Sequence, residues 1–184
     1  QLEADEGCSE WGHETYPGYF AQDHHEMLGE RDLTVHNWLW DFCPMESIGY
    51  VRGNLAMVLF GADDVEKSIT NLSGGEAARL IFARLAVLKP NVLILDEPTN
   101  HLDIEGVQAL AEGLKAYEGT IIFVSHDRWF VSELASRVVE ITHDGLEDYQ
   151  GSYEEFMQRR ASVDHLDADA VLEQAKANKR AAKK

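Results

Sequence analysis

Cysteine is almost missing from this 184-residue chain, which has two, Cys8 and Cys43, and no Cys-x-x-C spacing. With no basic and apolar leader at its start to favour a disulfide, free thiols are expected. Long hydrophobic runs are absent as well. Nothing approaches the roughly 18 apolar residues of a membrane span, which excludes a membrane-embedded role and implies a cytoplasmic one. Positive charge is short: 16 Lys and Arg face 33 Asp and Glu, a net charge of -17. Such a surface repels nucleic acid and anionic membrane unless its basic groups are segregated. They are segregated, because residues 174–184 hold Lys176, Lys179, Arg180, Lys183 and Lys184 and leave 11 basic against 33 acidic groups before them. Metal-ligand spacing is also lacking. His24 and His25 are adjacent and point apart on any regular element, so neither is assigned to a metal.

What is present is apolar patterning, at 45% hydrophobic residues, enough for one globular domain. From Asp32 to about Leu88 the pattern is helical, with Leu55, Leu59, Phe60, Leu80, Ile81, Leu85 and Leu88 at helical spacings. Pro44, Gly53 and Gly61 are expected to divide it into several helices. Val92 to Leu95 and Ile121 to Val124 read as buried strands, and between them Ile104, Val107, Leu110, Leu114 and Tyr117 form one helical stripe. Strand, helix and strand, with both strands apolar throughout, imply a parallel sheet covered on each face, and hence an α/β class. Beyond it, a helix from Arg128, a strand Val138 to Thr142, an Asp144-Gly145 turn and a short strand to Tyr149 are expected at the sheet's edge. Ser152 to Glu155 is a capping box opening a further helix. Leu2 to Trp11 reads as the end of a helix with nothing upstream to pair with, as in a fragment.

Chemistry concentrates at three places. In open α/β sheets ligands bind beyond the carboxyl ends of strands, and two such ends carry Asp96-Glu97 and His126-Asp127. Adjacent acids there suit phosphoryl chemistry on a magnesium nucleotide: one carboxylate holds Mg2+ through water and the other orients the attacking water. Asp103 and Asp127 each precede a helix and are expected to act as N-caps. The third place is Leu72-Ser73-Gly74-Gly75-Glu76. Paired glycines at a helix start let an anion approach free N–H groups, although the S-x-x-E pattern satisfies the same donors internally.

Together these stretches resemble, in order and spacing, the signature, Walker B (Leu93 to Thr99) and H-loop (Val124 to Asp127) of an ATP-binding cassette. Gly18-Tyr19-Phe20-Ala21-Gln22-Asp23 looks like its Q-loop. Asn100-His101-Leu102-Asp103, Glu76 in place of the usual Gln, Ser125 to Phe130 and Tyr149 to Tyr153 resemble the ABC-F branch. The resemblance implies a soluble protein with two cassettes on one polypeptide, acting on the ribosome near its tRNA exit site as a translation factor. It implies Glu97 and His126 as catalytic groups, and Gln22 and Asp96 as ligands of Mg2+ and ATP. Ser73, Gly74, Gly75 and Glu76 would face the ATP of the other cassette, with Asp103 at the contact between the two. The alternative is the ATP-binding subunit of an ABC transporter.

The family's P-loop, G-x-x-x-x-G-K-[ST], has no counterpart, since no Gly-Lys dipeptide occurs. The expectation is a C-terminal cassette truncated after its Walker A region, inactive by itself. Its parts would be a partial ATPase core with Q-loop (1–31), an inserted helical subdomain with the signature (32–88), the remaining core with Walker B, D-loop and H-loop (89–160), and a charged tail (161–184) that could meet ribosomal RNA.

Overall fold

The structure, a computed structural model, describes residues 6–8, 10–143 and 145–162. They fall into two compact units, one ending at His126 and the other starting at Asp127. The helix end expected in Leu2 to Trp11 and the basic tail lie wholly or largely outside the described residues.

The first unit holds three parallel strands, β1 (Pro17–Phe20), β2 (Val92–Asp96) and β3 (Thr120–Val124), in the order β1-β2-β3. Phe20 is in register with Leu95, and Leu95 with Phe123, so the three strands end level with one another. Leu93 and Leu95 of the central strand are buried. Five helices accompany the sheet: α1 (His24–Leu28), α2 (Val35–Trp40), α3 (Ile48–Met57), α4 (Gly74–Leu88) and α5 (Ile104–Lys115). Helix α4 buries Ala77, Leu80, Ile81 and Leu85, a stripe at the spacing of successive turns. Its early Ala residues favour the helix and let neighbouring chain approach closely.

Close approach explains one glycine. A Cβ on Gly18 would lie 2.6 Å from Pro90 Cγ and 2.9 Å from Leu85 Cδ2, both of them packed side chains. Gly18→Ala is therefore expected to destabilise the chain by about 1–3 kcal/mol, the usual cost of overpacking, as read from the midpoint of urea unfolding. An unchanged midpoint would show that β1 moves off α4 freely.

Several expectations need correcting. Ile122 and Val124 of β3 are 52% and 61% exposed, so this strand is not buried on both faces. Among the described residues it is the last strand of its sheet, paired with β2, and an apolar run records residue type, not cover. Gly53 lies within α3 and divides nothing; the breaks come at Pro44 and after Met57, in a stretch that contains Gly61 and in which Phe60 N–H donates back to the Leu55 carbonyl. On α5 the buried stripe is Val107, Ala111 and Leu114, while Ile104 is 78% exposed. Tyr117 lies past the helix end and donates its hydroxyl to Pro90 O at 2.6 Å.

The second unit contains α6 (Arg128–Leu134), β4 (Arg137–Thr142), β5 (Gly145–Gln150) and a helix over 153–162. The two strands are an antiparallel hairpin and form a sheet of their own, not an edge of the parallel one. A hairpin pairs its strands locally and needs no third strand to satisfy the inner backbone groups. Arg137 grips Asp148 across it with two hydrogen bonds. The expected capping box forms, Ser152 N–H donating to Glu155 Oε2 and Glu155 N–H to Ser152 Oγ.

Candidate functional site

Because the three strands end in register, the segments leaving their carboxyl ends emerge on one edge of the sheet. After β1 comes Gln22, exposed; β2 ends at Asp96 and continues into Glu97; β3 leads into Ser125 and His126. Glu97 is 6% exposed and ties two of these ends together. Its N–H donates to Val124 O at 2.9 Å, its Oε2 accepts from His126 N–H at 3.1 Å, and its Oε1 lies 3.3 Å from His126 Nε2. The His126 side chain is otherwise 96% exposed. Thr99 and Ser125 share a hydroxyl hydrogen bond of 3.2 Å beneath them. Asp103 caps α5 through Gly106 N–H at 2.8 Å, and Asp127 caps α6 through Phe130 N–H at 3.1 Å.

The glycine-rich helix start is a complete capping box. Ser73 Oγ accepts from Glu76 N–H at 3.3 Å. The Glu76 carboxylate accepts in turn from Ser73 N–H at 2.9 Å and from the Ser73 hydroxyl at 2.8 Å. Lys67 adds an ion pair to Glu76 at 3.0 Å. The Ser73 backbone N–H first, then Lys67 and the Ser73 hydroxyl, hold the Glu76 carboxyl below the usual range. A carboxylate depressed on folding stabilises above its unfolded pKa, and that stability is lost as pH falls through the folded one. Glu76→Gln is thus expected to cost about 0.5–1.5 kcal/mol near pH 7, with the gap closing below the ordinary glutamate pKa. Thermal unfolding of both proteins across pH 3–7 checks this, and a gap constant with pH would deny the carboxylate its charge role.

Sequence reasoning missed two side chains at this edge. A cavity of about 540 Å³ is lined by Gln22, Asp23, His24, His25, Gly74 and His101, so Gln22 and the glycine helix start share one space. His24 is 3% exposed, and its Nε2 has no hydrogen-bond partner. Burial first and His101 second lower its pKa, against an opposing Gly74 backbone contact. The His24 ring sits edge-on to His101, centroids 5.8 Å apart. The available signals were two residues' distance from Gln22 for His24 and, for His101, its place within Asn100-His101-Leu102-Asp103. Neither has the spacing of a motif ligand.

The donors at this edge fit a magnesium nucleotide. Neither Asp96 nor Gln22 makes a side-chain hydrogen bond or ion pair among the described residues, and carboxylate and carboxamide oxygens are the hard donors Mg2+ takes. The N–H groups of Gly74 and Gly75 likewise lack acceptors, as the first donors of a helix do. Among the described residues no three His, Cys, Asp or Glu form a metal-holding cluster.

This parallel sheet, with paired acids at its central strand end, an adjacent histidine and a glycine-rich helix start, has the arrangement of an ATP-binding cassette. The family model described as ABC transporter matches residues 18–100, and the chain has the α/β cassette fold. It belongs with relatives that carry ABC-F names. It is 45% identical over 160 residues to the probable ATP-binding protein YbiT of Escherichia coli O157:H7, covering 86% of this chain and 30% of that one. With ABC transporter F family member 5 of Arabidopsis thaliana it shares 38% identity, covering 88% and 24%. With the energy-dependent translational throttle protein EttA of Mycobacterium tuberculosis it shares 40% over 106 residues, 58% and 19%. Among solved structures, an archaeal ribosome recycling factor, aABCE1, superposes at TM-score 0.67 with 22% identity, over 88% of this chain and 32% of that one. The chain thus spans less than a third of these curated relatives. Among the described residues no helix is long and apolar enough to cross a membrane.

Proposed function

We propose that the chain is the C-terminal cassette of a soluble, cytoplasmic ABC-F ATPase that binds and hydrolyses ATP with Mg2+ and acts on the ribosome as a translation factor. The observation that carries the ATPase part is the level ending of three parallel strands. It sets Gln22, Asp96, Glu97 and His126 on one edge, with Asp96 and Gln22 uncommitted. In this reading Asp96 and Gln22 hold Mg2+, Glu97 orients or deprotonates the attacking water, and His126 contacts the terminal phosphate. Bound Mg2+ would neutralise charge on the phosphates. Ser73, Gly74, Gly75 and Glu76 face the nucleotide of a second cassette, and Asp103 lies at that contact. Residues 1–31, 32–88, 89–160 and 161–184 act as partial core, helical subdomain, remaining core and charged tail.

The translational part is supported by the ABC-F names of the relatives and by EttA, which is named for throttling translation. The test is ATP hydrolysis by the full-length protein and its sedimentation with ribosomes in ATP. Turnover with ribosome binding is expected, as is no turnover by the 184-residue chain alone. Turnover without any ribosome binding would remove the translational reading, and steady hydrolysis by the short chain would remove the need for a P-loop supplied from elsewhere.

A further inference from the structure

The turn between β2 and α5 is bounded by two residues in the left-handed region, Glu97 at φ 48° and His101 at φ 66°. Left-handed backbone disfavours a residue with a Cβ, so His101 holds this conformation against its own preference. What it gains is contact. The His101 carbonyl oxygen lies 2.8 Å from where a Gly75 Cβ would stand, and its ring Cγ lies 3.3 Å from the corresponding point on Gly74. The same ring also meets the buried His24. His24 in turn packs against Phe20 with centroids 4.8 Å apart, and Phe20 ends the strand that delivers Gln22. The two glycines are therefore small because His101 occupies the space beside them, besides any need to admit a phosphate.

We infer that His101 is a positioning residue that clamps the Gly74-Gly75 helix start to α1, so that Gln22 and the capping-box residues move as one group. This rests on the proposed roles of Gln22 and Ser73 to Glu76 in nucleotide chemistry. The clamp would couple the edge serving this cassette's own nucleotide to the helix start that faces the other. It touches no reacting atom, and its backbone strain is sustained by its packing against Gly74, Gly75 and His24.

The test compares His101→Gly, which fits the left-handed backbone but removes the ring, with His101→Phe, which keeps an aromatic ring. In the 184-residue chain, amide hydrogen exchange of Glu76 and Ala77, whose N–H groups donate to Ser73 Oγ and to the Ser73 carbonyl, is expected to speed up tenfold or more in His101→Gly and to stay within about threefold of wild type in His101→Phe, while the unfolding midpoint confirms that both fold. In the full-length protein, His101→Gly is expected to lower kcat for ATP about tenfold with KM nearly unchanged, and His101→Phe to restore most of it. Unchanged exchange in folded His101→Gly would overturn the clamp, as would a kcat loss that Phe fails to rescue. If the wild-type full-length protein hydrolyses no ATP, the functional reading fails, and the exchange experiment still decides the clamp.

Discussion

Glu97→Gln in the full-length protein is expected to keep ATP binding and to cut hydrolysis by about 10²–10⁴-fold, the usual contribution of a general base or water-positioning carboxylate. The substitution is a sharp test because of how Glu97 is held. A glutamine can still accept from His126 N–H through its amide oxygen, and the backbone bond from Glu97 N–H to Val124 O is untouched. The strand ends should therefore stay in place, and the loss would report charge and basicity. Two readouts separate the outcomes: equilibrium binding of Mg-ATP and steady-state phosphate release, with the first cassette's equivalent acid also disabled. Near-normal release would return Glu97 to a structural role, as the tie between β2 and β3. Lost binding together with lost release would show that the carboxylate is needed to build the site.

The largest effect on stability is expected from Phe20→Ala. Phe20 is 0% exposed, stacks on Phe82 with centroids 4.4 Å apart and planes 16° from parallel, and meets the His24 ring. Removing the ring forfeits its transfer energy and leaves a cavity, a combination that costs about 3–5 kcal/mol. The chain's total stability is of the order of 5–15 kcal/mol, so the variant should unfold at much lower urea, with an unchanged slope if both states keep their compactness. Because Phe20 lies two residues before Gln22 and touches His24, loss of the ring should also loosen the cavity those residues line. A shift of the unfolding midpoint worth less than about 1 kcal/mol would show that the site collapses readily around the gap, and that β1 is held by its backbone pairing with β2.

Much of this molecule is decided locally, and so was legible in the residues. The capping boxes at Ser73 and Ser152 and the N-caps Asp103 and Asp127 form as their spacing implies, since each joins groups three residues apart. Strand β2 is equally legible as a strand, from Val-Leu-Ile-Leu closed by acids and Pro98, while its central place comes from the two parallel neighbours that bring Asp96 and Glu97 to the edge that carries Gln22 and His126. Residue type misled where the outcome depended on what lies across space. Ile121 to Val124 is as apolar as β2, yet Ile122 and Val124 stand exposed on one face, because residue type does not record what covers a face. Arg137 to Gln150 could have joined the parallel strands but pairs with itself, because a short turn brings its halves together at little entropic cost. The meeting of His101 with Gly74, Gly75 and His24 spans residues far apart in the chain, and nothing in the stretches that contain them records that they touch. Only packing decided it, by filling the space that two glycines leave open with the carbonyl and ring of a residue held in a left-handed turn.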